Sequence, residues 1–182
     1  MAEARALRAD ARRNRDAIVA AARMAFDQDE QVRFDDFAAR AGVGVGTLYR
    51  HFPTRQALAA AVYEGEVAAL CDQALDPTRA AGDNLVAFLR GFVEYVVAHT
   101  GLARTLAAVV DPAVQIAGGS ELERTLADLL TRAAVDGAIR KDVAVGAVMI
   151  VLHGIGSATD RPLWAAESRG ALELLLAGLK TP

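Results

Sequence analysis

An all-α fold is predicted for this chain by three observations: apolar residues recur at three and four, alanine and leucine are abundant, and no stretch alternates as a strand would. With 53% apolar residues among 182, the chain can bury one sizeable core, or one core and a small appended module, which excludes a disordered protein. A single cysteine, Cys71, leaves no internal disulfide framework. The N-terminal stretch is charged where a secretory signal needs an apolar run, so a cytoplasmic protein is expected. The longest uncharged run, Val143 to Thr159, holds Gly146, His153, Gly154 and Gly156 and reads as a buried helix rather than a membrane span.

The first helix is expected from Arg13 to Phe26, with Ile18, Ala22, Ala25 and Phe26 on one stripe. Residues 1–12 ahead of it form a basic, flexible arm. The first 15 residues carry Arg5, Arg8, Arg12, Arg13 and Arg15 against Glu3 and Asp10. Such a segment is either a solvated, frayed tail or an arm that tracks a phosphate backbone. The net charge of −3 is unevenly spread, because residues 1–55 come to +2 and the remainder to −5.

A second, short helix from Phe34 to Ala41 places Phe34, Phe37, Ala38 and Ala41 at i, i+3, i+4 and i+7. Gly42 ends it, in the left-handed conformation that glycine adopts without steric cost. The next helix begins at Val45. At 100° per residue Val45, Leu48 and Phe52, with the ring of Tyr49, fall on one side, and Gly46, Thr47, Arg50 and His51 on the other. Pro53 stops this helix at Phe52, and Thr54 is suited to cap the following one. Two short amphipathic helices joined by a tight glycine-containing turn make a helix-turn-helix.

A second helix this short can lie across the DNA major groove with its first residues at base edges. Gly46 allows close backbone approach. Arg50 can fork onto a guanine, a contact that discriminates by about 1–3 kcal/mol, and Tyr49 can touch a thymine methyl or a phosphate. Thr47, His51 and Arg55 offer donors that phosphates accept, and the N–H groups opening the helix at Arg55 add an anion site. Singly, Tyr49 reads more readily as core, and His51 and Arg50 as surface residues; the spaced set together points to double-stranded DNA.

The segment GVGVGTLYRHFPTRQAL, Gly42 to Leu58, resembles the DNA-binding signature of the TetR-type (tetracycline repressor) family of bacterial transcriptional regulators. The resemblance spans about Arg13 to Val62. It implies that Val45, Gly46, Tyr49 and Arg50 face bases while Thr47, His51 and Arg55 hold phosphates. Two features depart from the family pattern. Gly44 stands where a serine or similar residue usually caps the recognition helix, and the loop before Phe34 is about two residues short, bringing Val32 and Arg33 there. Arg33 is a further phosphate candidate, with a solvated charge as the alternative.

A division into a DNA-binding domain, residues 1–55, and a helical ligand-binding and dimerisation domain, residues 56–182, follows. A long helix is expected from Arg55 to Leu75, then a break at DPTRAAGD. A helix capped by Asp83 runs to His99, and a shorter one from Gly101 to Val110. A second break falls at DPAVQIAGGS, followed by helices at Glu121 to Val135, Val143 to Ala158 and Leu163 to Leu179. The last two have broad apolar faces that a chain this small does not easily hide, so a two-fold homodimer is expected, with Leu175 at its interface and Gly146, Gly154 and Gly156 permitting close approach. The family resemblance implies the same: such regulators pair through their last two helices.

Two copies can read a near-palindromic operator. The middle helices would enclose a small, largely apolar effector, with Phe88, Phe92, Tyr95, Leu106, Met149, His153 and Trp164 as candidate lining residues and plain core packing as the competing reading. Catalysis finds little support. Cys71, His99, Asp111, His153 and Asp160 lack motif spacing, and the sequence has no glycine-rich phosphate loop and no metal-ligand spacing, so neither cofactor nor metal is expected. The reading is thus a ligand-responsive transcriptional regulator, a repressor on the family precedent, against the alternatives of a helical protein-interaction module or a small helical enzyme.

Overall fold

The computed structural model of the chain describes residues 2–28, 30, 32–107 and 112–180. Its elements are α1 (Ala2–Asp27), α2 (Asp36–Arg40), α3 (Val45–His51), α4 (Arg55–Asp72), α5 (Ala81–Ala98), α6 (Thr100–Ala107), α7 (Pro112–Val135), α8 (Val145–Ser157) and α9 (Trp164–Leu179). Among the described residues there is no strand.

Two of these helices are longer than the sequence suggests. The segment expected as a flexible arm is helical from Ala2, so α1 has 26 residues. The expected break at residues 111–120 lies mostly inside α7, which starts at Pro112 and continues through Gly118 and Gly119. Proline is well tolerated in the first turn of a helix, and a glycine in its interior costs only about 1 kcal/mol, less than the packing of the rest returns.

Two apolar clusters organise the chain. The first gathers Ile18, Ala22, Ala25 and Phe26 of α1 with Phe37 and Ala38 of α2, Leu48 of α3 and Leu58, Ala59 and Val62 of α4. The second, larger cluster gathers Val67 of α4 with the inner faces of α5, α7, α8 and α9. The expected division after residue 55 falls at the first residue of α4, whereas the change from one cluster to the other falls between Val62 and Val67. Leu102 of α6 belongs to the first cluster, and Tyr63 and Tyr95 pack against both.

Polar contacts fix the second body. Arg90 donates to Glu173 at 2.9 Å, and Arg169 makes two hydrogen bonds to Glu94 at 2.7 and 2.8 Å, so steps of four on antiparallel α5 and α9 are zipped together. The Trp164 indole donates to the carbonyl of Ile155 at 2.7 Å, which satisfies a buried N–H and sets the corner between α8 and α9. Asn84, buried at the start of α5, donates to the Asp76 carbonyl at 2.9 Å and pins the loop after α4. Gly82 is required by proximity: a Cβ there would sit 2.7 Å from that of Ala138.

The outer face of α8 and α9 is apolar and uncovered. Ile150 is 73% exposed and Leu174 78%, with Gly146, Ala147, Gly154, Gly170 and Ala177 around them. Leu175, by contrast, is half-buried and packs against the chain's own core.

Candidate nucleic-acid interface

The scaffold of the candidate interface is set by local chemistry. Gly42 closes the turn after α2 at φ 67°, the left-handed region that favours glycine. The N–H of Val43 bonds back to the carbonyl of Ala38 at 2.9 Å. Gly44, extended at φ −72° and ψ 148°, precedes α3, and its carbonyl accepts from Thr47 at 2.8 Å and Leu48 at 3.2 Å. No side chain caps α3. At the far end Pro53 follows an extended Phe52, and the Thr54 hydroxyl accepts from the Ala57 N–H at 3.1 Å to cap α4.

On this frame α3 buries Leu48 completely and turns Val45, Gly46, Tyr49 and Arg50 outward, with Thr47 and His51 half-buried at the flanks. A side chain added at Gly46 would meet nothing within 4 Å, so the helix is open to approach there. Arg33 is exposed at the base of α2. The outward and flanking residues of α3 present an open backbone and hydrogen-bonding side chains, groups of the kind that contact base edges and phosphates.

Tyr49 is held rather than free. Its hydroxyl donates to Asp35 Oδ1 at 2.8 Å, and its ring meets Phe34 edge-on with centroids 5.2 Å apart. The hydrogen bond to the Asp35 carboxylate, first among the causes, raises the phenol pKa above its ordinary value. A clip therefore fixes the angle between α2 and α3, with about half of the ring left to face a ligand.

Arg55, a phosphate candidate, lies against two rings of the module. Its guanidinium lies 5.3 Å from the centre of the Phe26 ring and 5.4 Å from that of Phe37, and donates to the carbonyl of Val32. Burial lowers its pKa, as desolvation of a cation must. The sequence signal for this was present in Phe26 and Phe37, but spacing along the chain does not say that an arginine at a helix start folds back between two distant rings.

The candidate effector residues divide. Phe88, Phe92, Met149 and Trp164 are buried in the second cluster, and half-buried Tyr95 packs against it. Tyr95 also stacks on His99 with ring centres 4.3 Å apart. His153 is not among them: it is exposed on the outer side of α8, one turn from Ile150. The side chain of Leu106, and Asp111 altogether, lie outside the described residues. A groove of about 420 Å³ between the loop after α4 and α7 is lined by Leu75, Arg79, Asn84, Arg132 and Val135 among others, and by none of the candidates. Among the described residues no cluster of three His, Cys, Asp or Glu side chains is arranged to hold a metal, and no helix is long and apolar enough to cross a membrane.

Comparison with known proteins gives the same reading of both bodies. Residues 18–62 match the model of the tetR family of bacterial regulatory proteins, and residues 80–181 match that of the C-terminal domain of SbtR-like transcriptional regulators. A TetR transcriptional regulator of Streptomyces coelicolor is 36% identical, covering 91% of this chain and 98% of its own, with a TM-score of 0.63. A TetR regulatory protein of Mycobacterium vanbaalenii is 34% identical over 96% and 99%, also at 0.63. FadR of Thermus thermophilus, a TetR-family repressor solved with lauroyl-CoA, shares the fold at 20% identity over 92% and 96%, with a TM-score of 0.64. A search of curated proteins finds no significant match. With a reading helix held on a capped frame, a helical body behind it and both parts matched over most of their length, this chain belongs to the tetR family of bacterial DNA-binding transcriptional regulators.

Proposed function

We propose that the chain acts as a cytoplasmic homodimeric repressor that holds a near-palindromic operator and releases it when a small, largely apolar effector enters the second body. The observation that carries the reading is the sharing of elements between the two clusters. Leu102 brings α6 into the DNA-binding module, α4 contributes to both cores, and Tyr63 and Tyr95 touch both. A ligand that displaces α4 or α6 therefore changes how α3 is held. Dimerisation through the uncovered face of α8 and α9 places two α3 helices for successive major-groove faces about 34–36 Å apart, a spacing that small tilts destroy. FadR of Thermus thermophilus carries an acyl-CoA, but the effector class proposed for this chain comes from its own apolar interior of Phe88, Phe92, Met149 and Trp164. An apolar compound that raises the melting temperature is expected to weaken operator binding by roughly 5- to 150-fold, the usual range of such coupling. Compounds that stabilise the protein and leave operator affinity unchanged would remove the effector from the reading.

Within the interface, Arg50 reads bases, Val45 and Gly46 admit close approach, Thr47, His51 and Arg33 meet phosphates, and Arg55 holds the module together. Arg50→Ala is expected to cost about 1–3 kcal/mol on the preferred site and much less on random DNA. Arg55→Ala is expected to lower the melting temperature while leaving the slope of log affinity against log salt unchanged, since its guanidinium is already engaged by Phe26, Phe37 and Val32. Titrations of both variants against operator and random DNA at several salt concentrations check this. A slope reduced by about one in Arg55→Ala would return that residue to the phosphates.

A further inference from the structure

The packed stripe of α1 continues beyond the body of the protein as a row of arginines. Arg8, Arg12, Arg15, Ile18, Ala22 and Ala25 follow one another at steps of four, three, three, four and three, so they lie on one side of the helix. The last three are fully buried against the module. Every side chain from Arg8 to Arg13 is exposed, the alanines included, so among the described residues this part of α1 stands open to solvent. The row reaches the reading head: the Arg15 guanidinium lies 5.5 Å from the centre of the Phe52 ring, at the residue that ends α3. Arg12 and Asp16 are 4.0 Å apart and both well exposed, a contact too weak to neutralise the row.

We infer that this overhanging half of α1 is a second DNA-binding surface, in which Arg8, Arg12 and Arg15 contact the phosphates flanking the bases that α3 reads. Three features favour DNA over other polyanions. The row is continuous with the interface through Arg15 and Phe52; it emerges on the side of α1 that faces the module; and its charge sits on an otherwise acidic protein, net −3. A helical overhang of about a dozen residues is only marginally stable alone in water. Phosphate contacts would therefore fix its helical form on binding, while releasing counterions from the duplex. Because phosphates carry no sequence information, the contribution falls equally on operator and random DNA.

The test is the doubly substituted Arg8→Gln/Arg12→Gln protein. Both residues are exposed, so the fold and melting temperature should stay as they are. Arg79→Gln/Arg132→Gln lowers the net charge equally at a distant groove and serves as the control. The expected result is a salt slope reduced in magnitude by about two for the first variant on both DNAs, with the operator-to-random ratio unchanged and no change of slope in the control. An unaltered slope, or an equal loss in the control, overturns the inference. Binding of wild type, and not of the Arg8/Arg12 variant, to vesicles of acidic phospholipid, with the DNA slope unaltered, would overturn it in favour of a membrane surface.

Discussion

Leu174→Asp is expected to convert the proposed dimer into monomers that fold normally and bind the operator about a hundredfold or more weakly, the factor that linking two binding events typically supplies. The side chain is 78% exposed in the single chain, so a carboxylate there disturbs no intramolecular contact. Across a two-fold axis it would bring two like charges into an apolar interface beside Ile150 and the small residues of α8, which is costly without a partner for either. Sedimentation velocity and operator titration on the same preparation check the result; a dimer of unchanged affinity would place the interface elsewhere. The neighbouring position is the poorer probe. Leu175 packs against the chain's own core, so an aspartate there would unfold the protein before it said anything about assembly.

The largest loss of stability is expected from Phe37→Ala. Phe37 is fully buried, lies 6.1 Å from the Phe26 ring and 6.4 Å from that of Phe34, and carries the Arg55 guanidinium on its face. Removing the ring leaves a cavity where three elements meet and strips the arginine of one of its two aromatic supports. A cost of about 3–5 kcal/mol is expected. That corresponds to a fall in melting temperature of about 6–20 °C for a chain of this size. Calorimetry measures it, and a shift under about 3 °C would mean that the site collapses around the gap.

What the sequence makes legible is whatever is decided within a few residues. Gly42 takes its positive φ, Pro53 ends α3, Thr54 caps α4 and Gly44 provides no side-chain cap, each following from one residue's covalent geometry or its own donors and acceptors. What is decided by distant partners is harder to see. The two glycines at 118 and 119 read as a break because their local cost is visible and the packing of a 24-residue helix is not. Leu174 and Leu175 differ by a rotation of 100°, and only the surroundings of α9 say which of two identical side chains faces in. His153 shares the apolar run of α8, yet the same rotation from buried Leu152 carries it outside, one turn from exposed Ile150. Arg55 reads as a phosphate ligand because its charge is written in the sequence, while the rings that hold it come from 18 and 29 positions earlier.

The passage of α4 from one core to the other leaves the molecule without a seam. Leu58, Ala59 and Val62 are committed to the reading head and Val67 to the body behind it, all within 18 residues of unbroken helix. A chimera that joined this reading head to another regulator's sensor could not be cut at the loop before Arg55, where the sequence offers its most obvious boundary. It would carry away the helix face that packs on α1 and supplies Leu58, Ala59 and Val62 to the cluster shared with α2 and α3. The workable exchange point is inside the helix, between Val62 and Val67, where a splice keeps each face with the partners it was selected to meet.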